Sequence, residues 1–301
     1  MFKLVRFALT ALSFLLISPV QTFADRRVSR DNTDFDFKGQ SGQIAIRNAY
    51  GKEASIKWKK IEEFDSQNKK VNFVNNFASQ TYTWSAPVQT QFNGQNCTLI
   101  NLNAILTPYY QVQGQNVYLN ISTYIFNSTV QVPYGNTTLT VPKDTVKFTI
   151  SMSNWPFKNT TNTLRFGSEI KSEDNDGRKK KMNEFRKFKV RRDQEVDDDG
   201  KRAYNDRTLI VDNTGFYDMP SFALINGVQT PVTVALWNDT DDNDKVGIVW
   251  TFPYFNNLVY DPVIGTGSPS YIATSSSTTR SVVQSSIIVL LLAFTTFMVT
   301  F

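Results

Sequence analysis

From residue 41 the chain runs as short segments in which apolar and polar side chains alternate with a period of two. Ser55-Ile56-Lys57-Trp58-Lys59 shows it plainly, with Ile56 and Trp58 on one face and the lysines on the other. Such alternation marks a half-buried strand. The same rhythm predicts strands at Gln43–Ala49, Ala54–Lys59, Val71–Phe77, Thr81–Trp84, Cys97–Leu106, Val117–Phe126, Thr138–Val141 and Val146–Met152. Turn formers separate them at Asn93-Gly94, Gly114-Gln115-Asn116 and Tyr134-Gly135-Asn136. Strands resume at Thr208–Asp212, Ser221–Ile225, Val232–Trp237 and Val246–Phe252, and Leu258 to Gly265 follows the aromatic window Trp250 to Phe255. No comparable helical periodicity precedes Ser172. The pattern predicts a mostly β chain, an antiparallel β-sandwich built as one large or two consecutive sandwiches.

Two regions interrupt the rhythm. Residues 25–40 set Arg26, Arg27 and Arg30 against Asp31, Asp34 and Asp36 and read as an extended lead-in to the β-rich region 41–171. Residues 172–207 hold dense blocks of both signs, including Arg178 to Lys181 and Arg186 to Arg192. Such blocks predict a solvated hairpin or mobile loop, with Phe185, Phe188 and Val190 suggesting a strand through its middle. These basic groups could also serve as cleavage sites or bind sulfated glycans and acidic polymers. The β-rich region 208–264 then leads to a Ser/Thr-rich stalk and spacer at 265–286.

Both ends are hydrophobic. In residues 1–24, Lys3 and Arg6 precede the apolar run Phe7 to Val20 and the exit Thr22-Phe23-Ala24. This is the form of a secretory signal peptide cleaved after Ala24; the alternative is an N-terminal membrane helix. Residues 287–301 are fifteen uncharged residues, short of the about 20 that span a bilayer and without a basic flank. The small trio Ser275, Ser276 and Ser277, a polar spacer and this tail form the pattern of a glycolipid (GPI) attachment signal. A short tail-anchoring membrane helix is the alternative. The mature chain is then roughly 250 residues.

The 32 basic and 27 acidic residues leave a formal charge of only +5, which implies no nucleic-acid partner. Cys97 is the sole cysteine, so no intrachain disulfide can form. It is expected either buried or paired between chains. Six sequons, at Asn96, Asn120, Asn127, Asn136, Asn159 and Asn238, predict an N-glycosylated ectodomain. A glycan on Asn120 requires that side chain to face outward from its strand.

The absence of histidine excludes His-dependent triads and His-ligated metal sites. No phosphate-binding or dinucleotide-binding glycine motif is present. Carboxylate chemistry remains open: a glycosidase would need two Asp/Glu facing an aromatic cleft. Calcium is the other carboxylate candidate, at Glu195, Asp197 and Asp199 before Gly200 and at Asp241, Asp242 and Asp244. Glu at the first loop position and Arg202 where an apolar residue belongs argue against a true EF-hand, and a solvated acidic turn competes with both candidates. No cofactor and no metal site is assigned.

Phe148-Thr149-Ile150-Ser151-Met152-Ser153-Asn154-Trp155-Pro156-Phe157, Ile248-Val249-Trp250-Thr251-Phe252-Pro253-Tyr254-Phe255 and the following Tyr260-Asp261-Pro262 resemble a group of secreted invertebrate proteins. Some members of that group are components of the coral skeletal organic matrix. The likeness covers about the C-terminal half of the mature chain and rests on strands and aromatics rather than on chemistry. It implies an extracellular matrix protein deposited with or near calcium carbonate, with no functional residues to carry over. One departure is that acidic members of such matrices are far richer in Asp, whereas this chain is basic. The sequence therefore predicts a secreted, non-enzymatic glycoprotein with a structural role. Its expected partners are matrix or cell-surface components, and the alternatives are a GPI-anchored adhesion or binding receptor and a carboxylate-dependent glycosidase.

Overall fold

The computed structural model describes residues 24–39, 41–74, 76–173, 207–211, 215–238 and 246–266. The strands begin with β1 (Arg26–Arg30), β2 (Thr33–Phe37), β3 (Ile44–Asn48), β4 (Glu53–Phe64), β5 (Lys70–Val74), β6 (Thr81–Trp84) and β7 (Val88–Phe92). Next come β8 (Gln95–Leu106), β9 (Val117–Phe126), β10 (Val130–Tyr134), β11 (Thr137–Val141), β12 (Thr145–Ser153) and β13 (Thr163–Glu173). The series closes with β14 (Arg207–Val211), β15 (Gly215–Met219), β16 (Phe222–Ile225), β17 (Val228–Pro231), β18 (Thr233–Asn238), β19 (Val246–Phe252), β20 (Asn257–Tyr260) and β21 (Val263–Thr266). Among the described residues the only helical element is a 3-10 turn at Phe77–Ser79, and no helix is long and apolar enough to cross a membrane.

The strands form an eight-stranded sheet, ordered β1-β2-β3-β4-β13-β19-β18 with β5 also on β4, and an eleven-stranded sheet centred on β12. The hairpin β10-β11 stands apart. Three long strands each carry two short ones end to end along one edge. β4 takes β3 and β5, β8 takes β6 and β7, and β12 takes β20 and β21. The breaks between the short strands keep their hydrogen bonds. The Ser85 N–H donates to the Asn101 carbonyl at 2.8 Å, and the Phe148 N–H to the Pro262 carbonyl at 2.8 Å. Backbone groups at these joints therefore stay satisfied. Pro262 has no N–H to offer a ladder, which suits it to a break.

Period-two alternation on both sheets buries one continuous core. Phe35, Phe37, Ile44, Ile56, Trp58, Phe166 and Trp250 from the first sheet meet Tyr82, Ile100, Leu119, Ile121, Phe148, Ile150 and Tyr260 from the second. Trp58 is its centre, stacked on Phe166 at 5.2 Å and edge-on to Phe148 across the layers at 6.0 Å. Polar ties cross the same interface. The Tyr217 hydroxyl shares its proton between the carbonyls of Ser55 at 3.0 Å and Lys171 at 2.8 Å. The Trp84 indole donates to the Lys38 carbonyl at 3.2 Å. The fold is thus a single sandwich of the two sheets. A smaller apolar cluster, including Cys97, Phe126, Val132, Val141, Phe216 and Val263, lies between the back of the second sheet and the β10-β11 hairpin. Cys97 is a buried free thiol there, and burial pushes its pKa up.

Several boundaries differ from the sequence expectations. Residues 25–40 are not a plain lead-in but contain the hairpin β1-β2, because Phe35 and Phe37 alternate with Asp34 and Asp36 and enter the core. Ser172 and Glu173 complete β13, Arg207 opens β14, and Gly265 and Thr266 belong to β21. The rest of the charged segment, 174–206, lies outside the described residues, as do both hydrophobic ends.

Replacing Trp58 with Ala removes the side chain that joins both layers. The expected cost is about 3–5 kcal/mol, seen as a lower urea midpoint with an unchanged slope.

Candidate functional surface

The two outward faces of the sandwich have opposite chemistry. On the first sheet, β4 turns Ile56 and Trp58 inward, so Lys57 and Lys59 point out. A β-bulge pairs Gly167 with Lys60 but Ser168 with Trp58. Lys59 is left without a cross-strand partner, and Lys60 follows it outward. Gly167 makes room, since a Cβ there would stand 3.1 Å from Lys60 Cγ.

Carboxylates lace this cationic row. Glu169 takes Lys59 at 3.0 Å and Lys171 at 3.5 Å, and Glu62 takes Lys70 at 3.1 Å and Lys60 at 3.2 Å. Arg47 pairs with Glu53 and Arg27 with Asp34 towards the β1 edge. Burial works to raise the Glu169 carboxyl, but the two lysines outweigh it and hold it below its ordinary value. Burial first, then Lys59, push the Lys57 ammonium down; Glu169 opposes and Lys171 adds to the fall. Lys57 and Arg165 form no ion pair among the described residues. The Arg165 guanidinium instead lies 3.9 Å from the centroid of the Phe64 ring and bonds Asn68.

The back of the second sheet is uncharged over β6, β8, β9 and the end of β12. Register places Thr83, Asn103, Asn120 and Ser151 in one row, with Asn101, Ser122 and Thr149 in the next. Asn120 is half-buried there; its amide donates to Asn103, and its Oδ1 accepts from the Ser122 hydroxyl at 2.8 Å. Asn96, Asn127 and Asn136 are exposed on β8, after β9 and in the β10-β11 turn. Asn159 is exposed between β12 and β13, its Oδ1 accepting from the Thr161 N–H at 3.1 Å. Asn238 ends β18. Four of the six sequons thus belong to the second sheet or the hairpin that covers it.

Glu195, Asp197, Asp199, Asp241, Asp242 and Asp244 lie outside the described residues, and so do Ser275, Ser276 and Ser277. Among the described residues no three His, Cys, Asp or Glu side chains converge as metal ligands. Sequence reasoning gave no weight to the buried polar residues, which carry no local motif. Glu63 accepts from the Trp155 indole at 3.2 Å, the Lys158 N–H at 2.8 Å and the Asn162 amide at 2.5 Å. It thereby pins the loop that presents Asn159. Asn72 accepts from the Tyr110 N–H at 2.8 Å and donates to the Tyr110 carbonyl at 3.2 Å, fixing the Tyr109-Tyr110 turn. Asp261, another buried carboxylate, faces Lys147 and shares no partner with Glu63.

The family model described as acidic skeletal organic matrix protein matches residues 22–298. No curated protein matches the chain.

Changing Glu169 to Gln takes away the carboxylate between Lys59 and Lys171, at an expected cost of about 1–3 kcal/mol near neutral pH. The folded pKa of Glu169 is depressed, so its contribution is complete above the unfolded value and is lost as pH falls through the folded one. Urea midpoints of wild type and variant should therefore converge in acid.

Proposed function

The chain belongs to the acidic skeletal organic matrix protein family, and from that membership we propose that it is a non-enzymatic structural glycoprotein of a biomineral extracellular matrix. The observation that carries the reading is the contrast between its two faces. The charged face of the first sheet, with Lys57 and Arg165 outside any ion pair among the described residues, suits acidic macromolecules held by charge. The back of the second sheet, bearing hydroxyls, amides and most of the sequons, suits a glycan-covered, solvated side. A basic chain among acidic matrix components would act as a cross-bridge, with sulfated or carboxylated polymers as its partners.

Binding of immobilised polyaspartate to the secreted protein should weaken steeply with salt. The double change Lys57→Glu and Arg165→Glu should reduce it by about tenfold or more, the equivalent of 1.4 kcal/mol. Unchanged affinity in the double variant would remove the charged face from the proposal.

A GPI-anchored surface receptor is the second reading, favoured by Ser275 to Ser277 ahead of the apolar tail 287–301. Mass spectrometry of the mature protein should then show Asp25 at the start, at least three occupied sequons and a glycolipid within Ser275 to Ser277. A C-terminus ending at Phe301 would dispose of the anchor.

A further inference from the structure

At the joint between β20 and β21, the molecule encloses a lysine that neither outer face uses. Lys147 lies on the back of β12, in register with Tyr124 on one side and Val263 on the other. Its side chain is 0 % exposed. Nζ stands 2.6 Å from Asp261 Oδ2 and 2.9 Å from Thr149 Oγ1. The rings of Phe92 and Tyr124 close over it, with centroids 5.0 Å and 5.3 Å from Nζ. Asp261 is itself 5 % exposed, and its second oxygen, Oδ1, is buried without a hydrogen-bond partner among the described residues.

An ionised pair fits this setting poorly. Burial of two charges costs as much as or more than their attraction returns unless the remaining lone pairs are satisfied, and Oδ1 is not. The aromatic wall can steady an ammonium, yet the same wall excludes the water that keeps an amine protonated, and burial pushes the Lys147 pKa down against the pull of Asp261. One change resolves both difficulties. Condensing the two groups to an amide removes both charges and leaves Oδ1 as a neutral carbonyl oxygen, far less costly to bury unpaired than a carboxylate oxygen. The surviving N–H keeps Thr149 Oγ1 as its acceptor.

We propose that Lys147 and Asp261 are joined by an intramolecular isopeptide bond. The step balances within the pair. A proton passes from Nζ to the carboxylate, giving a neutral amine beside a carboxylic acid. The Nζ lone pair attacks Cγ, the carbon that carries the oxygen standing 2.6 Å from Nζ, so the reacting groups are already held side by side. A second Nζ proton goes to the departing oxygen, the Cγ–Oδ2 bond breaks, and water leaves. Both hydrogens of that water come from the ammonium, and no oxidant or co-reactant is consumed. The bond would close a loop between residues 114 positions apart in a chain whose single cysteine denies it an intrachain disulfide.

The test is peptide mapping of the secreted full-length protein after denaturation and trypsin digestion. Neither peptide concerned carries a sequon, so N-glycans do not interfere, and a glycolipid at Ser275 to Ser277 would shorten the second peptide there and add its own mass without touching the branch. A bond on Nζ blocks cleavage after Lys147. The expected product is the peptide ending at Lys158, uncut at Lys147, joined to the peptide that begins at Val246 and lighter than their sum by one water. Fragmentation should place the branch at Lys147 and Asp261. Recovery of separate peptides ending at Lys147 and beginning at Phe148, with no joined species, overturns the proposal and leaves an ion pair only. In Asp261→Ala the joined species should vanish and cleavage after Lys147 should return. A joined species that persists in that variant overturns the assignment to Asp261. The wild-type digest alone decides the question if the variant does not fold.

Discussion

The structure depends on apolar side chains from two sheets meeting across one layer, with the indole of Trp58 at the middle. With one cysteine in the chain and no α-helix among the described residues, this contact has neither a disulfide nor a helical layer behind it. Trp58, Phe148, Phe166 and Trp250 touch one another edge-on, stacked or tilted, and Tyr260 extends the group to Phe252. Such ring pairs contribute beyond their buried area. The density has a cost: the indole N–H groups of Trp58 and Trp250 are buried without acceptors among the described residues, and each forfeits its hydrogen bond with water.

That inner layer dictates what the outer faces can be. A strand with every second residue committed to the core has only the remaining half free for surface chemistry. On β4 and β13 that half is Lys57, Lys59, Glu62, Arg165, Glu169 and Lys171, and on β9 and β12 it is Asn120, Ser122, Thr149 and Ser151. The bulge opposite Gly167 breaks the strict period. It sets Lys59 and Lys60 side by side on the same surface, so the cationic face is denser than alternation alone allows.

Buried polar groups mark where chain segments are fixed rather than merely covered. Glu63 and Asn72 hold the two loops at one end of the sandwich. Tyr217 joins the layers through the Ser55 and Lys171 carbonyls. Lys147 and Asp261 join β12 to the break between β20 and β21. Each involves residues distant in sequence, so each restricts how the sheets can slide past one another.

Period-two alternation was enough to establish the β class and most strand positions, because that signal is local: β6, β9 and β19 begin and end where it places them. Residue content likewise settled the sequons, the lack of histidine and the impossibility of an intrachain disulfide. Strand order was not legible. β13, which pairs with β4 along its whole length, is interrupted in sequence by Gly167 and ends in charged residues, so its alternation is masked until β4 and β19 lie on either side of it. The hairpin β1-β2 was obscured by its own charges, of which Arg27 meets Asp34 and Asp36 only once the two strands pair. Lys147 and Asp261 look in sequence like ordinary surface residues. Only the folding of β20 and β21 along one edge of β12, beneath the rings of Phe92 and Tyr124, brings amine and carboxylate together in a buried place. Proximity of that kind is a property of packing, which no one-dimensional period encodes.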